Sequence, residues 1–195
     1  MVKKSTKVFV NDALFEKQNY NQKALPKGEY DQCVFKACNF SGSDLFDVVF
    51  SDCRFVDCNF AMANVSKTAF RNVEFSDCKL LGMHFEHCND FLLSFNFHNC
   101  NLNLSSFYRL KLKNTVFENC SLKEADFTAT DLTQSALLNC DLADAKFDQT
   151  NLERVDLSTS YNYTIHPENN RIKKAKFSSA GLAGLLAHYD ILVES

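Results

Sequence analysis

Large apolar residues recur at every fifth position through most of this chain. Tyr30, Phe35, Phe40, Leu45, Phe50, Phe55, Phe60, Val65, Phe70, Phe75, Leu80 and Phe85 form one unbroken series. After a shift of two residues it resumes as Leu92, Phe97, Leu102, Phe107, Leu112, Phe117, Leu122, Phe127, Leu132, Leu137, Leu142, Phe147, Leu152 and Leu157, making 26 repeats in all. A period of five fits neither the 3.6 residues of a helix nor the two of a plain strand. The cysteines identify a second buried position. Cys33, Cys38, Cys53, Cys58, Cys78, Cys100, Cys120 and Cys140 each stand two residues before a central residue, and Cys88 holds the same place relative to Asp90. Ala63, Ala125, Ala145, Ser43, Ser105, Thr68, Thr130 and Thr150 fill that slot elsewhere. Two inward positions separated by two make a three-residue extended segment, and the two residues left over turn a corner.

The number of sides follows from longer spacings, because residues stacked on successive turns resemble one another. Cys38, Cys58 and Cys78 are 20 apart, as are Cys100, Cys120 and Cys140, and the join between the two sets is 22. Four repeats therefore complete a turn, and the two-residue phase slip between 85 and 92 preserves the order of the sides. At about 4.8 Å per rung, 6.5 turns give a rod roughly 31 Å long. Phe or Leu stacks on its equivalent one rung away, and the narrower slot takes small side chains. Only Gly42 and Gly82 fall at corners, which predicts corners of type I with negative φ.

The expected organisation is an N-terminal cap with degenerate leading repeats over 1–29, an all-β solenoid over 30–157, and a C-terminal capping region over 158–195. Phe15, Tyr20 and Leu25 keep the first phase, while the segment before Phe15 reads as partly mobile. Ser158 to Phe177 reads as a loop around Pro167. Ser178 is a candidate N-cap for a short α-helix in which Leu182, Leu185, Leu186 and Tyr189 recur at helical spacing. With Ile191 and Val193 in the apolar tail, these residues are the candidate dimer interface, since an apolar helix at a rod's end either seals the last rung or meets a second copy.

Composition supports a binding protein. The chain has 19 Phe, 13 of them central, nine Cys, five Gly and two Pro in 195 residues. An odd cysteine count precludes a complete internal disulfide framework, and with no leader or apolar span in view it points to a reducing cytoplasm. The formal net charge is -3. From Tyr30 to Ser160 there are 18 acidic and 11 basic residues, a net of -7, against 6 acidic and 10 basic in the two ends. The acidic excess concentrates in Glu118, Glu124, Asp126, Asp131, Asp141, Asp144, Asp148, Glu153 and Asp156, which are the candidate partner-binding residues. Such a surface steers a positively charged partner and disfavours direct nucleic-acid contact.

No nucleophile, base and orienting group, paired carboxylates or phosphate loop emerges, so no enzymatic activity, cofactor or small-molecule substrate is expected. His84, His87, Cys88, His98 and Cys100 cluster near the slip. By register Cys100 points inward while His84 and His98 point outward, so no metal site is expected. The basic run Arg171, Lys173, Lys174 and Lys176 reads as a solvated loop.

Ala125-Asp126-Phe127, Cys140-Asp141-Leu142 and Ala145-Lys146-Phe147 resemble the bacterial pentapeptide-repeat proteins, over about residues 15 to 157. The resemblance implies a right-handed quadrilateral β-helix. The Cys- and Phe-rich N-terminal coils, the mid-rod interruption and the short C-terminal segment are similar to those of the quinolone-resistance members. That likeness implies a homodimer joined through the C-terminal helix and a non-enzymatic DNA mimic that engages DNA gyrase and topoisomerase IV and lowers quinolone sensitivity. Having only the two-residue insertion, the chain more closely resembles members without projecting loops. The alternative is a structural or adaptor scaffold with an unrelated protein partner.

Overall fold

The computed structural model describes residues 7–191. Every strand pairing is parallel and joins residues 20 apart, or 22 across the interruption. Phe35 pairs with Phe55 and Phe55 with Phe75, while Phe75 pairs with Phe97. The chain is a four-sided parallel β-solenoid of about eight turns. We name its sides by a central residue of each: the Phe35, Phe40, Phe85 and Phe50 sides, in chain order.

Pairing is most regular on the Phe35 side. There nine strands form one sheet: Leu14–Glu16, Val34–Lys36, Arg54–Val56, Val73–Ser76, Phe95–His98, Val116–Glu118, Ala136–Leu138, Asp156–Leu157 and Lys176–Phe177. The Phe50 side carries a four-stranded sheet, Val8–Asn11, Gly28–Asp31, Val49–Ser51 and Ala69–Arg71, which ends at the interruption. Beyond it, that side continues as single bridges, Lys111 to Asp131 to Asn151 to Arg171.

The interior is built of ring columns. Phe15, Phe35, Phe55, Phe75, Phe97 and Phe117 stack with centroids 4.6 to 5.3 Å apart, and Phe85, Phe107, Phe127 and Phe147 stack at 4.9 to 5.2 Å. Each stacked pair contributes roughly 0.5–1.5 kcal/mol beyond its buried area. All nine cysteines are free and buried. Their slot does more than admit small side chains. The Cys53 thiol donates to the Tyr30 carbonyl at 3.2 Å, Cys58 to Phe35 at 3.3 Å, Thr68 to Leu45 at 2.7 Å and Thr150 to Phe127 at 2.8 Å. The slot thus recruits Cys, Ser and Thr as donors to a central residue's carbonyl on the preceding rung, adding a second hydrogen bond at carbonyls such as those of Leu45 and Phe127, which also accept the N–H of Val48 and Thr130.

Four expectations are corrected. The corners do not have negative φ: 27 non-glycine residues among those described, 13 of them Asn or Asp, have φ near +50° to +62°. Most stand three residues before a central residue. Ser43 donates to the Phe40 carbonyl across Gly42, whose φ is 61°, so the third residue of this corner is left-handed as in a type II turn. A compensation for the left-handed residue is visible in its own N–H, which bonds the next rung, as from Met62 to Leu81 and from Glu124 to Ala143.

The second correction concerns Leu92, which is exposed and left-handed rather than central. Asp90 holds the vacated central register, and a carboxylate cannot fill an apolar coil unpaired. The chain loops outward and Phe95 packs inward instead, 5.3 Å from the Phe85 ring and 5.0 Å from that of Phe97. Third, the coil begins before Phe15, with Val8–Asn11 paired to Gly28–Asp31. Fourth, Ser158 to Phe177 carries a further turn of the coil: Asp156–Leu157 pairs with Lys176–Phe177, and Asn170 occupies the small slot, donating to the Phe147 carbonyl.

A short helix, Leu182–Leu186, follows, continued by a 3-10 turn over Ala187–Tyr189. Ser178 accepts the Gly181 N–H at 3.0 Å, and Ile165 donates to the Gly184 carbonyl, tying the helix to the last turn. Leu185 is buried at that junction, while Leu182, Leu186, Tyr189 and Ile191 remain exposed. Val193 lies outside the described residues. None of the described helices is long and apolar enough to cross a membrane.

Candidate protein-binding surface

Each repeat points three residues outward: the one between the two inward positions and the two at the corner. Because these columns run the length of the rod, a side chain's column is fixed by its place in the repeat. The nine acidic candidates fall on all four sides, and ion pairing divides them.

Four have a cationic partner and a fifth, Glu118, meets an imidazole. Asp131 pairs with Lys113 at 3.3 Å, Asp141 with Lys123 at 3.1 Å, Glu153 with Arg171 at 2.7 Å and Asp156 with Lys176 at 2.9 Å; Glu118 meets His98 at 3.1 Å. Two of the four basic residues expected in a loop, Arg171 and Lys176, therefore neutralise acidic groups at the end of the coil. Hydrogen bonding from the Ser158 hydroxyl, with Lys176 beside it, lowers the Asp156 carboxyl to about 2. Asp131 is also lowered: partial burial opposes ionisation there, but the Thr133 hydrogen bonds and Lys113 outweigh it.

The other four, Glu124, Asp126, Asp144 and Asp148, have no ion pair among the described residues. All four gather on or beside the Phe85 side. Glu124 and Asp144 occupy successive rungs of the corner entering it, Asp126 lies on its flat, and Asp148 stands where the chain leaves it. Lys146 follows Asp126 one rung on but does not pair with it. Within one column, Glu124 and Asp144 stand one rung apart, about 4.8 Å, against about 3.4 Å between phosphates along a DNA strand. Glu124 and Asp126 open onto a groove of about 460 Å³ bordered also by Glu86, Leu104, Tyr108 and Lys146. The partners of the five paired acids stand 18 or 20 residues away, one rung distant, so the spacing was a usable signal in the sequence. It overreaches at Asp126, whose neighbour Lys146 fits the spacing without forming the pair.

Other chemistry is not assembled here. Burial pushes the Cys53 thiol up to about 12 and also raises that of Cys88, so neither supplies a thiolate at neutral pH. His84 and His98 are turned to Glu86 and Glu118, and no group of three or more metal-ligating side chains occurs among the described residues.

The model of the pentapeptide repeat region matches residues 29–96 and 92–177. The chain belongs to the pentapeptide-repeat family. No curated protein matches it in sequence. Among solved structures it is similar to QnrB1, a plasmid-mediated fluoroquinolone resistance protein, at 18% identity and a TM-score of 0.50, covering 94% of this chain and 100% of that one. HetL, a pentapeptide repeat protein involved in heterocyst differentiation regulation from the cyanobacterium Nostoc sp. strain PCC 7120, matches at 14% identity and a TM-score of 0.41, covering 87% and 85%. At these identities the likeness is one of fold. Family membership accounts for the five-residue period and the four-sided coil, and leaves function to the outer surface.

Proposed function

We propose that this pentapeptide-repeat protein is a non-enzymatic, cytoplasmic DNA mimic that binds a type II topoisomerase, DNA gyrase or topoisomerase IV, and lowers its sensitivity to quinolones. The observation that carries this reading is the set of four carboxylates, Glu124, Asp126, Asp144 and Asp148, without an ion pair among the described residues and gathered on and beside the Phe85 side. Pairing quenches the remaining candidates locally, so a basic DNA-binding saddle is steered to that side, most strongly at low salt. The QnrB1-like coil supports the reading by its shape.

The chain acts as a homodimer through Leu182, Leu186, Tyr189 and Ile191, which are 48%, 37%, 45% and 53% exposed. A single apolar residue on a surface needs no explanation, but four within ten residues at one end of a rod form a patch suited to a second copy. Light scattering of the intact chain is expected to give a dimer and of the double variant Leu182→Glu, Leu186→Glu a monomer; a monomeric intact chain removes this part of the reading.

Gyrase supercoiling and drug-induced cleavage, measured with purified protein at low salt, test the whole. Inhibited supercoiling and reduced cleavage are expected, both diminished when the four carboxylates become amides. No effect on either assay at excess protein overturns the proposal, and capture of a different partner without topoisomerase favours the adaptor scaffold.

A further inference from the structure

A second surface, of opposite charge, lies where the repeat is interrupted. Residues 91–114 contain Arg109, Lys111 and Lys113 and no carboxylate, and lie in the longest carboxylate-free stretch of the coil. Within it the chain loops away from the Phe50 side. Phe91 and Leu92 are 65% and 64% exposed, although the adjoining rungs bury their central residues completely or nearly so. Between this loop and the next corner is a notch of about 300 Å³. Phe91, Leu92, Leu93 and Leu110 give it apolar walls, and Arg109 and Lys111 give it a cationic rim.

These cations are largely uncommitted. Lys113 pairs with Asp131, but Lys111 has no ion pair among the described residues, and Arg109 lies over the Tyr108 ring at 4.8 Å. On the rung before the notch, Arg71 spreads over the Phe91 ring at 5.8 Å, and its Nε is buried without a hydrogen-bond acceptor. Against these three cations the notch carries one acid, Asp90. A volume of 300 Å³ is at the lower end for ligand cavities and suits one large side chain better than a whole small molecule.

We propose that this notch is a docking site for an acidic peptide segment of a partner protein, which inserts one large apolar side chain between Phe91–Leu92 and Leu110. Carboxylates flanking the inserted residue meet Lys111 and Arg109, with the Arg71 guanidinium over the Phe91 ring adding to the positive field. The chemistry is that of an apolar anchor with a charged rim: the buried side chain holds the complex and the rim selects the sign of its neighbours. This site is independent of the carboxylates on and beside the Phe85 side, and it stands or falls without the topoisomerase reading.

Fluorescence polarisation with the full chain tests it, using a labelled pentapeptide in which tryptophan is flanked by two glutamates on each side. Saturable binding is expected. The same peptide with alanine at its centre is expected to bind at least roughly tenfold more weakly, as are Lys111→Glu and Phe91→Ser with the tryptophan peptide. A lysine-flanked peptide is expected not to bind, while the remote variant Lys173→Glu stays within about twofold of the parent. Absence of saturable binding, equal affinity for the alanine and tryptophan peptides, or equal affinity in Lys111→Glu, with unchanged thermal melting, overturns the proposal. Self-association that Lys111→Glu abolishes, in a chain that does not bind the peptide, assigns the notch to a second copy and overturns it equally.

Discussion

The coil before the interruption and the coil after it share an interior plan and differ in what they expose. Before it, rings occupy the centre of every side, as in Tyr30, Phe35, Phe40 and Phe85, and all are essentially sealed from solvent. After it, rings persist on the Phe35 and Phe85 sides while Leu102, Leu112, Leu122 and Leu132 fill the other two, equally buried. Outside, each half carries nine carboxylates between Tyr30 and Ser160, but those of the later half crowd into Glu118 to Asp156 while those of the earlier half are spread from Asp31 to Asp90. Interior and exterior therefore vary independently. The period constrains only two of every five residues, and the remaining three can acquire charge without disturbing the stack.

The largest test asks whether the interiors are equivalent. Phe55→Ala and Phe127→Ala are each expected to cost about 3–5 kcal/mol in urea denaturation, because each removes a ring stacked on both sides. A cost in one half less than half that in the other breaks the equivalence. The slot donors come next. Thr150→Val is expected to cost about 1 kcal/mol by removing the second hydrogen bond to the Phe127 carbonyl, which keeps that of the Thr130 N–H, and Cys58→Ser less than Cys58→Ala, because serine still donates to Phe35. If the alanine variant is the more stable of the two, the slot selects on size alone.

A smaller effect distinguishes the end of the later half. The Asp156 carboxyl is depressed in the folded chain, so its contribution is present above its unfolded value near 4 and fades as pH falls towards about 2. Solvent screening at this rim position holds the contribution to about 1 kcal/mol. Denaturation from pH 5 to pH 2 is expected to lose that increment in the parent and not in Asp156→Asn; identical slopes remove the pairing argument. Smallest of all, Glu124→Gln and Asp144→Asn are expected to leave stability within about 0.5 kcal/mol. A larger loss in thermal melting gives these carboxylates a structural role and weakens the division between inside and outside.

The coil was legible because cysteine and phenylalanine mark two different inward positions, and a residue such as Cys58 recurs as Cys38 and Cys78 one turn away. What escaped is physically distinct. Left-handed corners leave only a partial trace in composition, since Asn and Asp hold 13 of the 27 positions and Lys17, Met62 or Arg154 reveal nothing. Period alone could not place the chain within the slip, where Phe91, Leu92 and Phe95 compete for one inward position. The last turn was obscured because only Ile172 and Phe177 remain in step with Leu152 and Leu157. Within the carboxylate surface, charge counting located the acidic stretch from Glu118 to Asp156, but selecting its open members required knowing which lysines reach across a rung.

Every ladder in the molecule spans 20 residues, or 22 once, whether near the first strand or the last. Relative contact order is therefore on the order of 0.1, in the range of fast-folding helical bundles rather than β-sandwiches. Ordering one rung supplies the template for the next, so loop-closure entropy is met in equal instalments, and the time to nucleate is independent of how many turns the rod has.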